Sequence, residues 1–204
     1  MNDLIRILSI FLLITLLLTG CADHLVTRFH ILTPSQIKAA QIVNTRLDKL
    51  KTVGIRKIQL PVYLDRPQIV KRIGNNELVF SSSHQWGEPL SQSVGRVLTK
   101  QLDAELVDVH VRSHSWSRTQ TMAAQVDVRI NQFEIVDDLA CVLDVNWLIW
   151  PQDNKTVITH HSLISVPVDS HQYTALVTAH SQALFLLSKQ IASSLSGVFQ
   201  ALQE

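Results

Sequence analysis

An apolar run from Leu4 to Leu18 ends at Thr19-Gly20-Cys21, and it decides how much of the chain is available to fold. A short apolar stretch closed by small residues reads as a secretory signal peptide, not a structural element. A retained transmembrane helix is one competing reading. The charge-free part, Ile7 to Leu18, is shorter than the about 20 apolar residues a span needs. An ordinary signal peptide with a chance cysteine is the other, since Asp3 offsets Arg6 and leaves a weak n-region. Residues 1–20 are read as signal peptide, 21–27 as a tether and 28–204 as one domain. Removing residues 1–20 from the 204 leaves 184, an ordinary size for one domain with a tether.

Leu18-Thr19-Gly20-Cys21 resembles a bacterial lipobox. That resemblance implies cleavage before Cys21 and acylation, palmitate included, of its thiol and new amino group. Multiple chains would anchor stably, since each buried methylene contributes about 0.8 kcal/mol. Ala22 stands where inner-membrane lipoproteins often carry aspartate, so the resemblance favours the outer membrane, and Asp23 lies one place too late to count clearly against it. The two cysteines are Cys21 and Cys141. With Cys21 acylated, Cys141 has no intramolecular partner, and its apolar surroundings predict a buried, inert thiol. The fold must stand on its core. Lys and Arg number 18 against 17 Asp and Glu, a balance with no electrostatic footprint for nucleic acid.

The pattern predicts an α+β domain, a mainly antiparallel sheet with two principal helices packed on it. Arg28 to Leu32 is a short strand, and residues 35–51 are a helix or an ordered linker. Val53 to Val62 reads as a strand. Ile69–Ile73 and Glu77–Ser81 flank Gly74-Asn75-Asn76, a hairpin signal because Gly and Asn tolerate positive φ. Ser81-Ser82-Ser83-His84 reads as a polar loop. A helix follows with Pro89 as its first residue, and Leu90, Val94, Val97, Leu98, Leu102 and Leu106 at helical spacing. Val107–Val111, Ala124–Phe133, Leu139–Trp150 and Lys155–Val166 are further strands, with Asp137-Asp138 as one turn and Pro151 to Asn154 as another. Asp169 or Ser170 caps the last helix. Its stripe is Tyr173, Leu176, Val177, His180, Leu184, Leu187, Ile191, Leu195 and Val198. Phe185 and Leu186 either pack on the sheet or face a subunit neighbour or lipid.

Chemistry is thinly represented. Nine histidines invite a metal hypothesis, yet no HExxH or CxxC spacing occurs. His160 and His161 point to opposite faces of a strand, His110 and His114 share one, and His180 sits on an apolar stripe as a core histidine. No GxSxG elbow, phosphate loop or dinucleotide fingerprint is present. Glu88 at a helix start fits the dipole. The expectation is a non-enzyme with no metal and no cofactor.

Three segments carry a further resemblance. They are Leu60 to Arg72, with Tyr63-Leu64-Asp65-Arg66-Pro67-Gln68-Ile69-Val70 the most specific part; Trp86-Gly87-Glu88-Pro89-Leu90 leading to Arg96-Val97-Leu98; and Tyr173 to Val177 continuing to Ala192. Behind a lipobox, this order resembles the ABC-type transport auxiliary lipoprotein family, the PqiC-like (paraquat-inducible protein C) proteins. The resemblance implies an outer-membrane lipoprotein facing the periplasm, a non-catalytic component of an MCE-type intermembrane phospholipid transport system. It implies an MCE-domain (PqiB-like) partner and a homo-oligomer. The alternative is an envelope lipoprotein aiding outer-membrane integrity or stress tolerance without moving lipid. Tyr63, Asp65 and Arg66 suit a partner interface, where Tyr and Arg are enriched, or else hold a structural turn. Trp86 is an interface anchor or a core cover.

Overall fold

The computed structural model of the protein describes residues 26–35, 51–113, 122–152 and 156–201. The expected signal peptide, Cys21, residues 36–50 of the helix-or-linker segment, His114 and Asp153-Asn154 lie outside them. Alternating β-branched residues build the central hairpin. Strand β6 (Ala124–Val136) pairs antiparallel with β7 (Ala140–Pro151), from Ala124↔Pro151 to Val136↔Ala140. Val126, Val128 and Ile130 on β6, and Val145, Trp147 and Ile149 on β7, are buried as their alternation predicts. The turn is closed by the Leu139 N–H on Val136 O at 2.9 Å. Asp137 and Asp138 sit inside it at φ 50° and 56°, the left-handed pair that matches strand twist and that aspartate tolerates. Strand β8 (Ile158–Pro167) pairs antiparallel with β7.

The sheet forks on β6. β7 lines one side throughout, while two limbs share the other. Strand β2 (Lys51–Ile55) pairs parallel with the start of β6 at Val53↔Ala124, and β5 (Val109–Ser113) pairs parallel with β2. Strand β3 (Gln68–Ile73) pairs parallel with the end of β6 at Lys71↔Ile135. Beyond it lie β4 (Glu77–Trp86), antiparallel to β3, and the three-residue β1 (Arg28–His30), parallel to β4. The α+β class with two helices is as expected. The eight-stranded sheet is mixed, its antiparallel ladders carrying the longest registers. Both limbs reach β6 through long connections, which allow parallel pairing where short turns do not.

Boundaries moved for identifiable reasons. β2 ends at Ile55, Ile58 turns into the core, and Gln59 keeps a single bridge to Arg129. Ser81 to His84 belong to β4, whose end gains β1 as a neighbour at Arg28↔His84 and His30↔Trp86, and Ser81 Oγ accepts from the His84 N–H at 2.9 Å. Pro89 is the N-cap of helix α1 (Leu90–Glu105), with ψ 129°, one residue before the helical turn. Helix α2 spans Tyr173–Ala201. Its first bonds go from the Ala175 and Leu176 N–H groups to Gln172 O, and Ser170 Oγ accepts from the Gln172 N–H at 3.3 Å.

Both apolar stripes face the sheet. Leu90, Val94, Val97, Leu98 and Leu102 of α1 are buried, as are Leu176, Leu184, Leu187, Ile191 and Leu195 of α2. Each such side chain contributes about 1.5–3 kcal/mol by leaving water. α1 packs on β5 and flanks α2, which crosses β6, β7 and β8. Phe185 is half-buried with Lys189 Nζ 5.4 Å from its ring, and Leu186 is exposed. Cys141 is buried, and burial pushes its thiol pKa well up, with Glu134 adding to the effect. The face opposite the helices is open, carrying the pairs Arg56–Asp127 and His161–Asp144.

Candidate docking site

Residues 61–67 fold across that open face, between β2 and β3. Pro61 starts a tight turn in which its carbonyl accepts from the Leu64 N–H at 3.0 Å and Val62 O accepts from the Asp65 N–H at 3.2 Å. Leu64 drops into the core and pins the turn. Tyr63 lies along the sheet, and its hydroxyl donates to Glu134 Oε2 at 3.0 Å. Arg72 Nε donates to Glu134 Oε1 at 2.7 Å. The Glu134 side chain has no solvent exposure, and Oε2 also accepts from the Phe133 N–H at 3.0 Å. A buried carboxylate needs such partners, since an unpaired one costs several kcal/mol. Burial, and then the charge of Glu134, push the Tyr63 pKa up to about 12.

A register shift creates this triad. Pairing of β6 with β7 slips between Ile130 and Gln132, which turns Phe133 and Ile135 inward and Glu134 to the open face. Arg72 and Glu134 were not singled out from the sequence. Nothing local marks them: Arg72 lies 62 residues from Glu134, and Glu134 sits where the simple alternation would have placed a core residue.

The other expected docking residues divide. Asp65 is exposed, and Val62 beside it is 87% exposed. The Arg66 guanidinium lies 4.1 Å from the Phe80 ring centre, and its Nε is buried without a hydrogen-bond partner. Trp86 is 6% exposed and meets the His180 ring edge-on at 5.4 Å. Its indole belongs to the core, so the loop and the tryptophan do not form one exposed patch. The Trp86 N–H still ties the loop down, donating to Pro67 O at 2.6 Å.

Two depressions border Asp65. One, of about 840 Å³, is lined by Arg56, Lys57, Arg96 and Lys100 above Ile58 and Gly95. The other, of about 330 Å³, lies between Arg66 and Trp86-Gly87-Glu88. Glu88 is held by Arg96, whose Nε donates at 3.0 Å and whose Nη2 also reaches Leu32 O at 2.9 Å. The Arg96 hydrogen bond keeps the Glu88 carboxyl below its usual pKa. The surface offers charge and shape for recognition and no nucleophile–base pair. His180 is a satisfied core histidine: Nδ1 lies 2.7 Å from Leu176 O, so that nitrogen carries the proton, and burial lowers its pKa to about 4. Among the described residues no group of His, Cys, Asp or Glu is arranged to hold a metal ion, and no helix is long and apolar enough to cross a membrane.

Residues 31–192 match the family described as "ABC-type transport auxiliary lipoprotein component". No curated protein matches the chain. A crystal structure of an uncharacterized protein is similar in fold, with 18% identity, a TM-score of 0.69, and coverage of 83% of this chain and 99% of that one. A Xanthomonas campestris protein assigned to DUF330 is similar at 17% identity and a TM-score of 0.64, covering 88% of this chain and 98% of its own.

Proposed function

This chain belongs to the ABC-type transport auxiliary lipoprotein family, and from that premise we propose that it is a non-catalytic, outer-membrane-anchored subunit of an MCE-type intermembrane phospholipid transport system. Cys21 carries the acyl anchor, and the tether holds the domain on the periplasmic side. A PqiB-like MCE-domain protein docks on the 61–67 loop, and the lipoprotein works as a homo-oligomer. Auxiliary membership of a transport system implies partners, and the loop is the surface best suited to one. Its single carrying observation is that Tyr63, bound to a fully buried Glu134, holds the turn rigid while Val62 and Asp65 project from it. A preorganised loop loses little entropy on binding. Tyr63 and Arg66 support the exposed pair from beneath, and Trp86 fixes the loop through its backbone.

Photo-crosslinking in cells from position 62 or 65, with mass spectrometry of the adducts, tests the docking. Adducts to an MCE-domain protein are expected, and a correctly lipidated protein giving none would count against the loop as the docking site. Membrane fractionation of Cys21→Ser tests the anchor: the variant should leave the outer-membrane fraction.

A further inference from the structure

Among the described residues the sheet ends in three strands, β1, β5 and β8, and β1 leaves the outer side of β4 from Glu77 to Ser83 unpaired, a stretch that carries Glu77; β1 and β5 are blunted. β1 is three residues long and carries Arg28. β5 is five residues long, carries Arg112, and has His110 3.3 Å from Asp103. Short length and charge are devices that keep an edge from pairing with other chains. β8 uses neither. Its ten residues, Ile158 to Pro167, contain no Lys, Arg, Asp or Glu, and its only proline is the last. Its register with β7 runs from Ile149↔Ile158 to Ala140↔Pro167 without a bulge.

Among the described residues no strand pairs with the far edge of β8. One depression, of about 450 Å³, is lined by His160, His161, Ser162 and Gln190 among others. His160 stacks on Trp147 and bonds Ser194 of α2, whereas His161 bonds Asp144 on the opposite face. The hollow lies between β8 and helix α2, on the helix-facing side of the strand. A second, of about 480 Å³, follows at Val166 and Pro167 against Thr178. Midway between them Leu163 is 67% exposed.

We propose that the free edge of β8 pairs antiparallel with β8 of a second copy of this chain, across a two-fold axis near Leu163. Unpaired N–H and C=O groups along an extended edge call for another strand. A charged strand laid there would lose hydration with no counter-charge to meet it. Of the free edges among the described residues β8 is the longest and the one without Lys, Arg, Asp or Glu, so it can match itself. Antiparallel self-pairing sets Leu163 against Leu163 and His161 against Ser165, with no like charges opposed, and gives the isologous contact of a two-fold dimer. The proposal deepens the homo-oligomer part of the function above by naming its surface, and it is independent of which transport protein docks on the 61–67 loop.

Light scattering of the full-length lipidated protein in mild detergent tests it. The wild type should show an even-numbered assembly, and Leu163→Lys should halve its mass or reduce it further, because two lysines then face each other. Leu163→Glu should behave likewise, and mixing the two variants should restore the wild-type mass. Ser165→Lys serves as a second probe, with thermal melts verifying that each variant is folded. A monomeric wild type, or a Leu163→Lys assembly of unchanged mass, overturns the proposal. Dissociation of each variant without rescue on mixing overturns self-pairing in favour of a different strand on this edge. Crosslinking from position 62 or 65 to an MCE-domain protein is a separate readout, so failure of docking and failure of this interface are distinguishable.

Discussion

Replacing Arg72 by methionine should destabilise the protein far more than its partly exposed position implies. Arg72 retains 22% side-chain exposure, but its partner Glu134 has none. The variant keeps the aliphatic stem and removes the guanidinium that meets Glu134 at 2.7 Å. Removing one member of a buried ion pair costs about 3–5 kcal/mol, because the other charge stays buried without it. Tyr63 and the Phe133 N–H still hold Glu134 at 3.0 Å each, which places the loss near the lower figure, about 3 kcal/mol. For a domain of this size that lowers Tm by about 6–12 °C. Urea titration should show a reduced midpoint at unchanged slope. The double variant Arg72→Met with Glu134→Met should recover at least half the loss, since an apolar replacement of the whole pair is often nearly neutral. A single-variant cost below about 1 kcal/mol, the ordinary worth of a surface pair, would refute the burial argument. So would a double variant that is worse than the single.

Tyr63→Phe removes a hydrogen bond to a carboxylate and should cost about 1.5–3 kcal/mol, measured by the same urea titration, with reduced crosslinking from position 62 if the turn loosens. Stability should fall as pH drops from 6.5 towards 4. The unfolded chain then binds a proton that His180, buried with a folded pKa of about 4, refuses until lower pH; the full loss is about 3 kcal/mol. His180→Gln should flatten that slope. The slope that remains includes His30 and His84, both lowered by burial and then by nearby positive charge, and Glu88, lowered by the hydrogen bond from Arg96; melting curves across that pH range check both statements. Gly74→Ala should cost about 1 kcal/mol, because Gly74 adopts φ +57° with open space around it, so the penalty is purely conformational; Gly74→Asn should cost less.

Much of the fold was legible wherever one face of an element meets the core. The stripes of α1 and α2, the inward residues of β6 and β7, and the turn at Asp137-Asp138 follow from periodicity and from φ preferences that act locally. The partners of β6 were not legible. β2 and β3 reach it in parallel from 71 and 64 residues away, as the pairs Val53↔Ala124 and Lys71↔Ile135 record, and no local pattern encodes which distant strand lies alongside. Ser81 to His84 show the same limit: their polarity reads as a loop, yet β4 runs through them to His84–Trp86, where the distant β1 pairs. At the docking loop Tyr63 and Arg66 stood out by residue type, but the anchor of Tyr63, Glu134, depends on a slip in β6 that alternation does not announce. Trp86 is ambiguous by type and is resolved by His180, a neighbour from another element.

The fork on β6 also orders the events of folding. β6, β7 and β8 follow one another with short connections, so they can zip together as a local nucleus. β3 can pair with β4 and β2 with β5 earlier, but the two limbs have no strand to join them until β6 exists. A chain delivered amino-terminus first therefore presents β2, β3 and β4 with their main template still missing. Topologies dominated by such distant pairings have high contact order and fold slowly. Interrupted delivery before residue 124 would leave apolar strands waiting, the circumstance in which a holding chaperone has most to do.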